Sequence, residues 1–251
     1  MPGTLRTLRS LLLGLVGATL FPFGQAAGAE IELIPLADNT MFQEDSTVSN
    51  GAGPQFYCGR TNDGLLRRAL IRFDFAEIPA GAEIESVSLR LTLWRARLTS
   101  DVTMHRVLAD WGEAGSNSGS PGGYGAPAES GDATWVHRFY PDVHWSTPGG
   151  EYESAVSAVQ TVGLSGSYTW TGAGLVDDVQ AWVSGTSPNF GWMLGGDELV
   201  DQSAKAFDSR EYGSSGSRPR LTVTYTVPVS AVEPIVPRTW GAVKSLHRGD
   251  R

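Results

Sequence analysis

Ser86-Val87-Ser88-Leu89-Arg90-Leu91-Thr92-Leu93-Trp94 is the stretch that decides the fold class. Val87, Leu89, Leu91 and Leu93 share one parity; Ser86, Ser88, Arg90 and Thr92 share the other. That period of two is what a strand with one buried face requires. Arg68–Phe75 repeats it, with Ala69, Ile71, Phe73 and Phe75 inward and Arg72 and Asp74 outward. Leu221–Val227 sets Leu221, Val223, Tyr225 and Val227 against Thr222, Thr224 and Thr226. Between the first two segments, Pro79-Ala80-Gly81-Ala82 reads as a turn. Weaker strands are expected at Glu32–Leu36, Val102–Leu108, Gly191–Leu194 and Lys205–Ser209. Leu175, Val179, Trp182 and Val183 keep helical spacing, and Gly185 is placed to end one short helix. Alternating βα units are missing, so the pattern predicts an all-β chain, a two-sheet sandwich or jelly roll. The expected core is Ile71, Phe73, Val87, Leu89, Leu91, Leu93, Leu221 and Val223.

The ends read differently. Arg6 and Arg9 precede an apolar run from Leu11 to Phe23, and Ala27-Gly28-Ala29 offers a small-residue cleavage site before Glu30. The run is broken by Gly14, Gly17 and Pro22, whereas a membrane span needs about 20 predominantly apolar residues. Residues 1–29 are therefore expected to be a secretory signal peptide, leaving a secreted or cell-surface protein with no transmembrane span. The sandwich is expected over 30–227, a proline-marked linker over 228–238 and a short basic tail over 239–251. Loss of the leader takes 19 basic residues to 17 against 27 acidic ones, a balance of −10. That sign argues against nucleic acid as a partner, because phosphate binding needs clustered Lys and Arg. It leaves room for a polyanion held through calcium or by a local basic groove. Cys58 is the sole cysteine, so no intramolecular disulfide can form.

From Trp111 to Gly166 the chain is rich in Gly, Ser and Pro yet carries Trp111, Tyr124, Trp135, Phe139, Tyr140, Trp145 and Tyr152. A flexible linker would not hold so many aromatics. The segment is expected to be a long loop excursion packed on the sandwich, of the kind that often carries function. Its tryptophans either anchor it there or line a ligand surface. Catalytic motifs are missing. Gly115-Ser116-Asn117-Ser118-Gly119 has Asn where a hydrolase nucleophile would stand, and His105, His137, His144 and His247 form no zinc motif. Asp132, Asp142, Glu151, Glu153 and Asp197 are loop acids from which a catalytic pair could be drawn, but nothing in their spacing selects one. The chain is therefore not expected to be an enzyme. Asp132, Asp142 and Glu151 are candidate ligands for a structural calcium that would pin the excursion.

Several segments resemble one family. Arg68-Ala69-Leu70-Ile71-Arg72-Phe73-Asp74-Phe75, Ile78-Pro79-Ala80-Gly81-Ala82 and Ile84-Glu85-Ser86-Val87-Ser88-Leu89-Arg90-Leu91 resemble the front half of the DNRLRE domain, which is related to disaggregatase repeats and alginate-binding carbohydrate-binding modules. Asp132-Ala133-Thr134-Trp135 and Trp145 with Gly149-Gly150-Glu151 are similar to its central segment. Val179-Gln180-Ala181-Trp182, Asn189-Phe190-Gly191-Trp192, Phe207-Asp208-Ser209-Arg210-Glu211 and Arg218-Pro219-Arg220-Leu221 are similar to its second half. The resemblance covers roughly residues 31–226. It implies a jelly-roll β-sandwich and a non-catalytic module on the cell surface or in the extracellular matrix, binding polysaccharide, acidic polysaccharide included. The alternative is a structural surface protein with no soluble ligand; a lyase or hydrolase stands third. On this reading Trp135, Tyr140 and Trp145 form the aromatic edge of the glycan surface. Arg210 is expected on a strand, paired with an acid of a neighbouring strand; its other reading is a fork for a sugar carboxylate. The tail resembles a short C-terminal segment of exported bacterial proteins.

Overall fold

Each of the three alternating segments forms a strand; two of these strands are longer than their patterns, and the third begins two residues before its pattern and ends at Phe73, two residues short of Phe75. The structure, a computed structural model, describes residues 27–228; most of the expected leader, nearly all of the linker and the whole tail lie outside them. The first strands are β1 (Ala27–Leu33), β2 (Pro35–Phe42), β3 (Val48–Ser49), β4 (Gln55–Arg60), β5 (Leu66–Phe73), β6 (Glu83–Ala96) and β7 (Ser100–Arg106). The excursion contributes β8 (Ala126–Pro127), β9 (His137–Phe139) and β10 (Val143–His144). Then come β11 (Ala158–Val162), β12 (Gly166–Thr171), helix α1 (Ala173–Val183), β13 (Trp192–Gly195), β14 (Lys205–Asp208) and β15 (Arg220–Val227).

Eleven strands make one curled antiparallel sheet in the order β1-β15-β6-β14-β4-β5-β13-β7-β11, with β12 also on β6 and β2 on β5. The sheet closes on its main core, giving the all-β sandwich-like fold. β4 is the corner: Gln55–Cys58 pairs with β14, while Gly59 and Arg60 turn to pair with β5. Val87, Leu89, Leu91 and Leu93 of β6 meet Ile71 and Phe73 of β5, Leu221 and Val223 of β15 and Trp192 of β13 in this core. All eight expected core residues are buried there. Helix α1 covers β6, burying Leu175, Val179, Trp182 and Val183, and ends at Gly185, whose φ of 71° glycine adopts without a Cβ clash.

The outer face of the β5–β13 part of the sheet is not in water. Leu70 and Met193 point outward by parity but are buried beneath Trp111, Ala133, Trp135 and Trp145 of the excursion, in a second apolar cluster. The excursion is thus a third layer. Polar side chains hold its backbone where regular ladders are missing. Asn39 Oδ1 accepts from the Thr40 N–H (2.7 Å) and the Ser49 hydroxyl (2.8 Å), and its amide donates to Ala133 O (3.3 Å). The Asn189-Phe190-Gly191-Trp192 segment has a similar account. The Asn189 amide donates to Phe73 O (2.7 Å), capping β5, and Gly191 at φ 73° lies where a Cβ would sit 2.1 Å from Ile71 O. Trp192 then enters the core and donates its indole N–H to Asp178 (2.8 Å).

Candidate functional site

The expected aromatic edge is not on the surface. Trp135 is 9% and Trp145 4% exposed. The Arg68 guanidinium lies over the Trp135 ring at 5.0 Å, and the Trp145 indole N–H donates to Thr134 O (3.0 Å). Two rings so enclosed have no free face on which a sugar could stack; they anchor the excursion. Tyr140 is half-buried, edge-on to His137 with ring centroids 5.2 Å apart. The signal for this outcome was the tryptophans themselves, which more often fill cores than stand in solvent.

The expected calcium ligands do not converge either. Asp132 is fully buried, and its two oxygens accept the backbone N–H groups of Ala114 (2.7 Å) and Glu129 (2.8 Å), so it staples the loop. Glu151 accepts the Ser146 N–H (2.6 Å), and Asp142 is exposed. Among the described residues, the acids that do converge are Asp38, Glu113 and Glu211, with one carboxylate oxygen from each within 4.8 Å of the others. Arg210 sits among them. It lies in the turn after β14 rather than on a strand, so the parity expected for it does not apply. Its acid partner is Glu113 of the excursion, contacted at 3.0 Å from Nε and 2.9 Å from Nη2, with Glu211 at 2.8 Å. The Arg210 N–H also donates to Asp38 Oδ2 (2.8 Å). Burial, then the charges of Glu211 and Glu113, holds the Asp38 carboxyl well above the usual carboxylate range. Burial pushes Glu113 up to about 7 against the opposing pull of Arg210. Glu211 is raised by burial as well.

An open cleft lies on the outer side of β6, β14 and β4. Its volume is about 270 Å³, and the excursion tip and the β4–β5 turn form its rim. Trp94 enters it because it ends the outward parity of β6, and Tyr124, 83% exposed, overhangs it from the excursion. Arg95 and Arg97 continue β6 into the same cleft, both exposed. Neither forms an ion pair among the described residues, whereas Arg60, Arg67, Arg68, Arg72, Arg106, Arg210 and Arg220 all do. Among the described residues, the side chain of Arg97 reaches only Gln202, at 3.4 Å. The Tyr57 hydroxyl, at the cleft base, donates to Pro121 O and so holds the tip bearing Tyr124 in place. In the sequence the cleft was signalled by Trp94-Arg95-Ala96-Arg97, an outward aromatic running into two cations, which the alternation identifies only as the end of a strand.

A scan of family models and a search of curated proteins matched nothing for this chain. Its functional reading therefore rests on the geometry of the cleft. Lys205 supports that cleft from below. Its ammonium is buried and donates to Leu98 O (2.6 Å), Ser100 Oγ (2.9 Å) and Ser203 O (2.9 Å), which ties β14 to the β6–β7 turn. Burial lowers its pKa, partly offset by Cys58 and Asp197.

Proposed function

We propose that the chain is a non-catalytic module that binds an acidic polysaccharide outside the cell through the Trp94 cleft. The observation that carries this is one open cleft holding two accessible aromatic rings, Trp94 and Tyr124, beside two arginines without carboxylate partners among the described residues. Aromatic faces stack on the apolar faces of sugar rings, and a guanidinium fork matches a uronate carboxylate bidentately. A chain with a formal net charge of −8 gains nothing from its overall field toward a polyanion, so the attraction must be local. The resemblance to a family that includes alginate-binding modules points the same way. The non-catalytic part of the reading is supported by placement: a single carboxyl, Asp63, lines the cleft, whereas glycoside hydrolysis uses a pair.

The test is titration of the chain with alginate and polygalacturonate, beside neutral mannan, by calorimetry or affinity electrophoresis. Wild type is expected to bind the uronates and not the mannan, more weakly as salt rises. Trp94→Ala removes a stacking anchor and is expected to weaken binding by at least tenfold with thermal stability nearly unchanged. Absence of uronate binding, or full binding by a folded Trp94→Ala/Arg97→Ala variant, refutes this assignment of the cleft.

A further inference from the structure

Among the described residues, two carboxylate oxygens in the Asp38–Glu113–Glu211 cluster have no hydrogen-bond partner: Oδ1 of Asp38, whose side chain is fully buried, and Oε2 of Glu211. Burying an unpaired carboxylate oxygen costs free energy unless a cation or a proton meets it. The rest of the cluster is satisfied. Arg210 occupies both oxygens of Glu113 and one of Glu211, and its backbone N–H takes Asp38 Oδ2. Three carboxylates in direct contact with one guanidinium, Arg210, leave a contact charge of −2 when all are ionised; Arg218 attracts Glu211 from farther off without an ion pair, and the unpaired oxygens mark where charge is uncompensated. We propose that Asp38, Glu113 and Glu211 form a calcium site.

Three features of the geometry fit a hard divalent ion. All the side-chain donors are carboxylate oxygens, the ligand type that calcium prefers. Oxygens bound to one calcium at about 2.3–2.6 Å can be no more than about 5 Å apart, and these three lie within 4.8 Å of one another before any adjustment. Each acid also comes from a different segment: Asp38 from β2, Glu113 from the start of the excursion, Glu211 from the turn after β14. An ion there would clip the third layer to the sandwich, the task the sequence assigned to Asp132, Asp142 and Glu151. Water would complete the six to eight ligands. The inference is independent of the polysaccharide reading, since none of the three acids lines the cleft.

The full chain, stripped with EDTA, should be titrated with CaCl₂ by calorimetry and by thermal melting. One equivalent of calcium is expected to bind, more tightly at pH 7.5 than at pH 5, because the ligands must be deprotonated. At a free calcium concentration a hundred times Kd, the melting temperature should rise by about 5 °C or more. Glu211→Gln should abolish that rise, and Glu151→Gln should leave it intact. Should Glu211→Gln fold poorly, the wild-type titration still decides. No binding of calcium at millimolar concentration, with a melting temperature indifferent to EDTA, overturns the site in favour of a shared proton. A calcium-dependent rise retained by Glu211→Gln, or lost in Glu151→Gln alone, also overturns it by placing the ion elsewhere.

Discussion

Replacing Trp111 by Ala tests whether the excursion is a packed layer or a loop resting on the sheet. Its side chain is fully buried in the second cluster. An indole of this size buries roughly 150–250 Å², which at about 25 cal/mol per Å² corresponds to about 4–6 kcal/mol. The alanine methyl recovers part of this, giving the 3–5 kcal/mol range of Trp-to-Ala changes in cores, ~4 kcal/mol here. The lost indole N–H bond to Phe190 O (2.8 Å) adds ~1 kcal/mol and leaves that carbonyl unpaired. Arg72, whose guanidinium lies 5.2 Å from the ring centroid, also loses its stacking partner. Urea unfolding followed by far-UV circular dichroism measures the total. Limited proteolysis measures whether the excursion opens on its own, which would let the layer detach before the sandwich unfolds. Trp94→Ala, on the open cleft, is the control and should cost under about 1.5 kcal/mol, as for a partly exposed side chain. A Trp111→Ala loss below about 1 kcal/mol, with the excursion still resistant to protease, would refute the second core.

Other outcomes follow from buried titratable groups. The Cys58 thiol is fully buried and pushed up to about 12 by burial, so it should resist alkylation at pH 8 in the folded chain and react at once in 6 M guanidinium; mass spectrometry of trapped adducts reads this directly, and rapid labelling under native conditions contradicts the packing. In calcium-free buffer, stability should fall as pH rises. Glu113 is raised from 4.5 to about 7 and Asp208 from 3.8 to about 6, so the folded chain holds protons that the unfolded chain has released. Their contribution is complete below about pH 4 and lost as pH climbs through 6 to 7; melting curves at pH 5 and 7.5 check the sign, and a higher melting temperature at 7.5 without calcium contradicts it.

How much of this was legible depended on what each face of the sheet meets. β6 and β15 each have one buried face, so parity alone named Val87 to Leu93 and Leu221 with Val223. β5 is covered on both sides, and Leu70 is buried although it lies on the outward parity. β2 gave little apolar signal because Asp38, Asn39 and Thr40 are buried to hold loops rather than to fill a core. The same long-range polar contacts hid the acidic cluster. Asp38 and Glu211 are 173 positions apart, and no local spacing announces that a strand and a turn will bring them together. Trp135 and Trp145 were legible as important but not as buried, since in a Gly-rich loop nothing local says which aromatic the sheet will cover.

β1 and β15 pair from Ala27 opposite Val227 to Leu33 opposite Leu221, so the described chain enters and leaves the fold side by side. A tether pulling on both ends would load this pair as a zipper, breaking its hydrogen bonds one after another, rather than in shear, where they would resist together. Under tension, β1 should peel away at low force while the layers behind it stay closed.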